Sequence, residues 1–495
     1  PEVESGMIRN DDLGHLLRAA PWMPEDGRRA ERFECVDHAS LGSDVLLLVV
    51  TAVGGPASGR RWFVPVRPGP GGDGLQEAHG SAEFESAALD GVCAERRLPT
   101  ARGGWVRFRG ARLTARSVRL LPFERGWSSN VLSLVENDGT AYVHKTYRRL
   151  DETVREPELL RLMNGTGRTP DWAGDYTYVD PADGSHHPLG VFYRYTPGDG
   201  IDLPLRLSMR SLWPKVTGGP APGDLEDAVR THLRPLAGNL RDAGRFLAGF
   251  HRDLAARLGA GPVPPYPARE VLARATARTA ALAPAGIGLP TAARTAAFAA
   301  LRREAATLRG AFDAAPAGFP SGPCHGDLHL SHLLCRPRED GGWSMSVIDM
   351  STPALGPDEA EWAAQSPVQD LVAVQRALEY FTADEAAFES ARRLGVDSTE
   401  TMRGALDGAD GWPPGPRAVL RQVFHAADVW RAHVLRLLLG GTADDPLRRL
   451  LYLSRLLHEL AYNVDHARPY HAAIDLRHAL ALASRAPAPT IPART

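Results

Sequence analysis

The stretch that decides the fold is HGDLHLSHLL, residues 325–334, which places three histidines and one aspartate within ten positions. On a helix the three histidines would share one face, which is a plausible zinc geometry. Gly326 and Asp327 disfavour a helix at this point, however, and the chain has no H-E-x-x-H motif. The competing interpretation is a loop for phosphoryl transfer, in which a carboxylate lies beside the attacking hydroxyl group.

Three side chains fit phosphoryl transfer. Asp327 would act as the catalytic carboxylate, and His332, five positions later, lies where a magnesium ligand is needed. Asp349 ends the apolar run SVID, so a hairpin would fold it back over the first loop as a second magnesium ligand. We therefore expect Mg²⁺ to bind at His332 and Asp349.

The scarcity of lysine singles out a residue farther upstream. Only Lys145 and Lys215 are lysines among 57 basic residues, so a remaining lysine marks a position that requires a compact ammonium group. Lys145 ends the predicted strand AYVHK, and the helix EPELLRLM follows it. Glu156 or Glu158 would pair with this lysine, although acidic residues are common at helix starts for electrostatic reasons alone.

A turn before the lysine strand offers a phosphate contact. The segment ERGWSSNVLSLV, residues 124–135, reads as a Gly/Ser turn between two strands. Backbone N–H groups of Ser128, Ser129 and Asn130 would cover the phosphates of a nucleotide.

Composition excludes several classes of protein. The 495 residues carry a net charge of −2, which gives no electrostatic footprint for nucleic acid or for an anionic membrane. No apolar run is long enough to span a bilayer, and no secretory signal is visible at the start. Four cysteines without a C-x-x-C pair favour a reducing cytoplasm over a disulfide framework. The oligomeric state is not readable, and we favour a monomer.

The chain divides by pattern into β-rich and helical parts. Strand signals fill residues 30–66 and recur from Gly104 to the lysine strand, whereas helical periodicity dominates after Gly200. We predict an α+β protein with a cap subdomain at 1–109, a small β-rich lobe at 110–197 and a large helical lobe at 198–495.

The order of these motifs resembles the aminoglycoside-phosphotransferase branch of the protein-kinase-like fold. It is similar in particular to the actinobacterial maltokinases and the related glucosamine kinases, which have an N-terminal cap, an H-G-D-L-H loop, a Ser-Pro-x-x-Asp helix and a late Arg-Pro segment. Here these are residues 325–329, SPVQD at 366–370 and ARP at 467–469. The resemblance implies a bilobal kinase fold that uses ATP, with a hinge at VFYRY whose Tyr193 and Tyr195 contact the adenine through backbone groups.

Three departures from the maltokinase pattern concern the metal and the acceptor. His332 replaces the usual Asn or Gln, and the segment after the metal aspartate is Met350-Ser351-Thr352 instead of Phe-Glu-Gly. Gln369 replaces an expected arginine, and the resulting Gln-Asp pair resembles the glucosamine kinases. The resemblance therefore implies an ATP-dependent kinase that acts on the 6-hydroxyl of D-glucosamine.

The acceptor pocket is the least specific prediction. An amino sugar needs acidic partners and a polar or aromatic wall, and the candidates besides Asp327 are Gln369, Asp370, Asp428, Trp430, His458, Glu459 and Tyr462. Trp430 lies at helical spacing with Val434 and Leu437 and is equally typical of a core residue. The alternatives are a maltokinase or another sugar or aminoglycoside phosphotransferase, a non-catalytic pseudokinase-like binding module, and a zinc hydrolase.

Overall fold

The computed structural model describes twelve stretches of the chain, which are residues 10–69, 74–111, 118–123, 130–150, 154–216, 222–259, 264–284, 288–313, 318–350, 364–408, 411–440 and 445–484. The chain divides into two compact units, Pro1–Pro197 and Gly198–Thr495. The first is rich in strands and the second is mostly helical, in agreement with the predicted α+β class. None of the helices in these stretches is both long and apolar enough to cross a bilayer.

Among its described residues, the first unit contains four helices and eleven strands. Its helices are α1 (Asn10–Ala19), α2 (Glu25–Arg28), α3 (Ala82–Cys93) and α4 (Glu156–Met163). Its strands are β1 (Arg32–Leu41), β2 (Val45–Val53), β3 (Arg61–Pro68), β4 (Leu75–Glu77), β5 (Arg97–Pro99), β6 (Trp105–Gly110), β7 (Val118–Leu121), β8 (Val131–Asn137), β9 (Thr140–Thr146), β10 (Trp172–Val179) and β11 (His186–Arg194).

These strands form two antiparallel sheets. Strands β1 to β4 are paired in sequence order, whereas the larger sheet has the order β5-β6-β10-β11-β9-β8-β7. The predicted hairpin at ENDG is present, because Asn137 pairs with Thr140 and both Asp138 and Gly139 have positive φ, as a tight two-residue turn requires. The lysine strand is β9, in the interior of the larger sheet.

The boundary that we predicted at residue 109 falls inside strand β6. Arg109 pairs with Asp175 of β10, so strands from the N-terminal region extend the same sheet that contains the lysine strand. Gly110 and Gly174 are opposite each other in this pair, and a Cβ on Gly174 would lie 2.1 Å from a methyl of Val92 in α3. The division of this unit into a cap and a kinase lobe therefore remains a proposal about function.

The second unit is built from nine helices and a small sheet within the described residues. The helices are α5 (Asp202–Val216), α6 (Pro222–Leu258), α7 (Ala268–Leu282), α8 (Thr291–Asp313), α9 (Val368–Leu394), α10 (Ser398–Leu406), α11 (Pro414–Leu439), α12 (Pro446–Asp465) and α13 (Pro469–Ala481). Strands β12 (Asp199–Gly200), β13 (Leu333–Pro337) and β14 (Trp343–Val347) form an antiparallel sheet, and short 3₁₀ turns occur at Leu330–His332 and Leu482–Ser484.

Helix α9 is the central helix of this unit. Most of its residues are buried, and it packs against α11, α12 and α10. A helix that is covered on nearly all sides is typical of the core of a larger domain. Its first turn lies beside the HGDLH loop, which fixes the place of the candidate site.

A close approach between α6 and α11 gives a test of this packing. A Cβ on Gly244 would lie 2.0 Å from the carbonyl oxygen of Leu438, whereas one on Gly238, in the same helix, meets nothing within 4 Å. Gly244→Ala should therefore destabilise the protein by roughly 1–3 kcal/mol through overpacking. Gly238→Ala should stabilise it by about 0.5–1 kcal/mol, because alanine is the better helix former.

Thermal unfolding of the two variants and the parent measures this difference. We expect the melting temperature to fall for Gly244→Ala and to stay level or rise for Gly238→Ala. Equal melting temperatures for the two variants would contradict the close contact between the helices.

Candidate active site

One carboxylate holds the backbone of the HGDLH loop. Asp370, in the first turn of α9, accepts hydrogen bonds from the N–H of His325 (2.7 Å) and from the N–H of Gly326 (2.9 Å). The imidazole of His251 on α6 donates to the same carboxylate at 2.7 Å. Gly326 has a φ of 96°, which a residue with a side chain rarely adopts. The loop therefore has a defined shape immediately before Asp327.

Asp327 lies between two cationic or donor side chains. Its Oδ1 is 3.0 Å from Nε2 of His329 and accepts a hydrogen bond from Nη2 of Arg455 at 3.1 Å. Its side chain is 30% exposed, so the carboxylate remains accessible to a ligand. Burial works against the charged form, but the hydrogen bond from His329 and the charge of Arg455 outweigh it and lower the pKa of Asp327. The group is therefore ionised at neutral pH.

His332 connects Asp327 to Asp349. Its Nδ1 donates to the carbonyl oxygen of Asp327 at 3.0 Å, and its Nε2 lies 3.4 Å from Oδ2 of Asp349. The predicted return of the second aspartate is thus present, since β13 and β14 form the hairpin that brings it back. Burial lowers the pKa of His332 to about 4, so the imidazole is neutral at pH 7.

The backbone around Asp349 is tied to the HGDLH loop. The N–H of Ile348 donates to the carbonyl of His332 at 3.0 Å, and Nε2 of His325 donates to the carbonyl of Ile348 at 2.9 Å. Asp349 itself has a φ of 57°, an uncommon conformation for a residue with a side chain. Strained residues of this kind cluster at functional sites, and here the two flanking hydrogen bonds hold the conformation.

The pair of His332 and Asp349 suits a divalent cation that takes its other ligands elsewhere. Because Nδ1 of the neutral imidazole carries the proton, the lone pair of Nε2 faces the Asp349 carboxylate with no proton between them. A cation between these atoms would remove that repulsion. Mg²⁺ prefers oxygen ligands, so Asp349 would be the main protein ligand and His332 the weaker one.

The zinc interpretation is not supported. In the part of the chain that the structure describes, no three histidine, cysteine or acidic side chains are grouped to hold a metal ion. The rings of His325 and His332 are stacked at 5.6 Å, and each has a nitrogen that donates to a backbone carbonyl. The histidines therefore shape the loop and do not converge on one cation.

The first unit contains the predicted lysine pair. Nζ of Lys145 on β9 is 2.7 Å from Oε2 of Glu156 on α4, and both side chains are almost fully buried. The hydroxyl of Tyr147 donates to the same Glu156 oxygen at 2.7 Å. Glu158, the alternative partner, is exposed on the outer side of α4. The geometry thus selects Glu156 and excludes Glu158 as the partner of Lys145.

The other predicted nucleotide contacts have mixed outcomes. Ser128 and Ser129 lie outside the described residues, and Asn130 is half-buried directly before β8. The ring of Tyr193 belongs to the apolar cluster between the sheet and α4. The N–H of Tyr195 donates to the carbonyl of Ala141 at 2.9 Å, and the adenine contact through other backbone groups of this segment stays a prediction.

Three predicted acceptor residues are engaged elsewhere. Asp370 is fully buried and uses both oxygens on the loop backbone, so it cannot bind an amine. Trp430 is fully buried in the core, as its helical spacing suggested. Asp428 accepts hydrogen bonds from Arg431 and Arg477, whose charges outweigh burial and lower its pKa. Asp370 and Trp430 are thus corrected by an internal partner or internal packing that the sequence does not reveal, whereas the side chain of Asp428 is 34% exposed and its role stays a prediction.

The remaining acceptor candidates differ in their connection to the loop. Gln369 accepts a hydrogen bond from the N–H of Ser366 at 2.8 Å and helps to start α9. Glu459 is bound to Arg455 (2.7 Å) and to Arg376 (2.8 Å), which connects it to Asp327 through Arg455. His458 is half-buried beside it, and Tyr462, one turn later on α12, is 44% exposed.

Sequence reasoning missed two residues of this site. Arg455 contacts the carboxylate of Asp327 directly, and His251 supports the residue that holds the loop. The one available signal for Arg455 was its i, i+4 spacing to Glu459, which is typical of a helix-surface ion pair and does not point to Asp327. His251 reads as a polar residue next to the apolar face of α6, which carries no signal of its role.

Comparisons with known proteins agree with this geometry. Residues 119–357 match the sequence model of the phosphotransferase enzyme family. Among solved structures, a glucosamine kinase in complex with glucosamine, ADP and inorganic phosphate is 19% identical, with a TM-score of 0.53, over 94% of this chain and 97% of that chain. A second crystal form of glucosamine kinase gives 19% identity and a TM-score of 0.55 over 95% and 99%.

Two other comparisons complete these findings. An aminoglycoside phosphotransferase in a ternary complex with ADP and hygromycin B is 11% identical, with a TM-score of 0.35, over 75% of this chain and 96% of that chain. No curated protein matches the sequence.

The fold and the family match define the class of protein. Both findings support a kinase-like fold and the class of ATP-dependent phosphotransferases that act on hydroxyl acceptors. Within that class the chain is similar in fold to glucosamine kinase along nearly its whole length.

Removal of the catalytic carboxylate should separate chemistry from binding. We expect Asp327→Asn to lower kcat by roughly two to four orders of magnitude, because general-base assistance is lost, and to leave nucleotide affinity nearly unchanged. Steady-state kinetics and titration with a fluorescent nucleotide measure the two quantities. A fully active variant would show that Asp327 is not the base.

The role of Arg455 predicts a shift in pH dependence. The pKa of Asp327 is lowered, so the ionised base persists to low pH, and activity is lost only as the pH falls through that pKa. Arg455→Gln removes a positive charge that lowers the pKa of Asp327. That pKa should therefore rise, and the acid limb of the kcat/KM profile should move to higher pH.

The exposed pair of Arg338 and Asp340 offers the matched control, since Arg338→Gln should leave the profile in place. Superimposable acid limbs for Arg455→Gln and the parent would contradict the electrostatic role of Arg455.

Proposed function

We propose that this protein is a kinase that transfers the γ-phosphoryl group of ATP to the 6-hydroxyl of D-glucosamine, giving glucosamine 6-phosphate and ADP. The observation that carries the proposal is that His332 donates to the backbone carbonyl of Asp327 and lies 3.4 Å from the carboxylate of Asp349, which ties the residue proposed as base to the proposed metal ligand. Phosphoryl transfer needs this pairing, because positioning and charge neutralisation supply most of the rate acceleration.

In this proposal each charged group has a distinct task. Asp327 orients the acceptor hydroxyl and takes its proton. Lys145, held by Glu156, binds nucleotide phosphates as a point charge. Mg²⁺ bound at Asp349 and His332 would neutralise negative charge on the phosphates. Arg455 and His329 keep Asp327 ionised until the acceptor arrives.

A surplus of acidic groups behind Asp327 supports a cationic acceptor. Among the described residues, four carboxylates form a connected cluster with the guanidinium groups of Arg376 and Arg455; the acids are Asp327, Glu379, Glu459 and Asp475. His329 and His478 lie beside Asp327 and Glu379, and burial raises the pKa of Asp475 to about 7, so the cluster carries less negative charge than four ionised acids would. An ammonium group on the acceptor would complete the charge balance near Asp327 and Glu459.

The fold match favours glucosamine among cationic acceptors. Glucosamine is bound in the solved structure whose fold covers nearly the whole of this chain. An aminoglycoside is the second candidate, since it too is cationic and would suit the same acidic cluster. Maltose and glucose carry no amine, so they would leave the acidic surplus unbalanced.

A panel of acceptors tests the proposal. ADP release is measured with ATP and Mg²⁺ for glucosamine, N-acetylglucosamine, glucose, maltose and an aminoglycoside. We expect the highest kcat/KM for glucosamine. N-acetylglucosamine is the matched control, because it has the same ring and 6-hydroxyl without the positive charge, and it should be roughly tenfold or more poorer. Turnover of maltose or glucose above that of glucosamine would refute the choice of substrate.

A further inference from the structure

The lysine strand β9 presents its side chains to two different layers. Val143 and Tyr147 belong to the apolar cluster that contains Leu160 of α4, and Lys145 points to the same side, where it meets Glu156. Side chains alternate along a strand, so His144 and Thr146 face the opposite side. On that side the sheet is covered by residues from α3 and from strands β1 to β3. The two neighbours of the lysine therefore face the side of the sheet that the N-terminal region covers.

His144 forms a buried ion pair with helix α3. Its Nδ1 donates to Oε2 of Glu85 at 2.5 Å, and the two side chains are 0% and 2% exposed. The imidazole is stacked on Phe192 of β11 with ring centroids 3.9 Å apart, and Phe84 packs on it at 5.6 Å. Burial opposes a charged Glu85, but the interaction with His144 outweighs it and lowers the pKa of this carboxyl. Glu85 also accepts a hydrogen bond from the N–H of Gly80 at 3.3 Å, so the pair belongs to a connected buried network that favours one geometry.

Thr146 is held on the same side by Tyr176. The hydroxyl of this tyrosine, on β10, hydrogen-bonds with Thr146 and lies 3.0 Å from Nε2 of His144. Its ring fits because Gly190, which pairs with Thr146 in the sheet, has no side chain; a Cβ there would lie 2.5 Å from the tyrosine oxygen. Both residues that flank Lys145 are thus fixed by one connected group.

The chain that leaves the lysine strand is also tied to the N-terminal region. The N–H of Phe63 on β3 donates to the carbonyl of Arg148 at 2.7 Å, and the N–H of Leu150 donates to the carbonyl of Arg61 at 3.1 Å. The guanidinium of Arg148 forms a salt bridge with Glu77 at 3.0 Å. Contacts therefore reach the lysine from both directions along the chain.

We propose that the N-terminal region, residues 10–109, is a built-in brace for the nucleotide site, and that Glu85 and His144 are positioning residues that hold Lys145 in register with Glu156. The brace rests on the proposed function, in which Lys145 binds nucleotide phosphates. A lysine binds as a point charge on a flexible stem, so its precision depends on the strand that carries it. Glu156 of α4 contacts one face of β9 and Glu85 of α3 contacts the other, so the strand has little room to shift.

The brace is tested by variants of the full chain. Glu85→Ala removes the acceptor for Nδ1 of His144, and Glu85→Gln is the conservative variant that retains an acceptor. Leu17→Ala is the matched control, because Leu17 is fully buried in the separate cluster between α1 and the smaller sheet, which contains no residue of β9. Lys145→Ala serves as the reference for loss of the lysine itself. Affinity for a fluorescent ATP analogue, KM for ATP, KM for the acceptor and melting temperature are measured for each.

The expected pattern separates positioning from general stability. Glu85→Ala should weaken nucleotide binding by roughly ten- to a hundredfold, as misplacement of a binding group does, with little change in KM for the acceptor. Glu85→Gln should regain most of the affinity. Leu17→Ala should lower the melting temperature and keep nucleotide affinity at the parent level. If Glu85→Ala does not fold, His144→Phe decides, since it keeps the stacking on Phe192 and removes the ion pair.

Two results would overturn the brace. One is parent-like affinity in Glu85→Ala or His144→Phe while Lys145→Ala has lost it. The other is an equal loss in Leu17→Ala, which would mean that any damage to the N-terminal region has the same effect. If Lys145→Ala itself binds nucleotide normally, the proposed role of the lysine fails, and the brace fails with it.

Discussion

The site depends on the carboxylate of Asp370. It accepts hydrogen bonds from two successive backbone N–H groups, and it does so from the first turn of the central helix α9. This interaction joins the rigid part of the molecule to a loop that has little regular structure of its own. Because Gly326 is fixed, the next residue, Asp327, is directed toward Arg455. His332, farther along the same loop, lies close to Asp349.

Charge balance organises the surroundings of this loop. Arg455 contacts two carboxylates, Asp327 and Glu459, and Arg376 contacts Glu459 as well as two further carboxylates in the interior. Buried carboxylates that outnumber their cations are costly unless a ligand adds positive charge. An amine-bearing acceptor and a divalent metal would each supply such charge, so substrate and cofactor complete an electrostatic arrangement that the protein leaves acidic. In the first unit the charges of the lysine pair are already balanced, because Lys145 and Glu156 are paired before any nucleotide binds.

Local patterns predicted the parts of the site that follow each other in sequence. The β-rich and helical halves, the ENDG hairpin, the return of Asp349 and the pairing of Lys145 with one of two glutamates all follow from periodicity, turn chemistry or residue scarcity. The acceptor residues were the weakest prediction, since a carboxylate in a helix looks the same whether it faces a ligand, an arginine or a backbone amide. Asp370 and Asp428 were assigned to the amine for that reason, and Arg455 was missed because its partner lies 128 positions away. Such pairings are decided by tertiary packing, which one sequence does not display.

The proposed mechanism requires that Asp327, His332 and Asp349 lie together around the nucleotide phosphates and a divalent cation. The most direct measurement is a crystal structure of the full chain with ADP, glucosamine and Mn²⁺ in place of Mg²⁺, in which anomalous scattering locates the cation. The account predicts the ion about 2.1 Å from an oxygen of Asp349 and the sugar 6-hydroxyl within hydrogen-bonding distance of Asp327. A cation and phosphates bound away from both aspartates would contradict it.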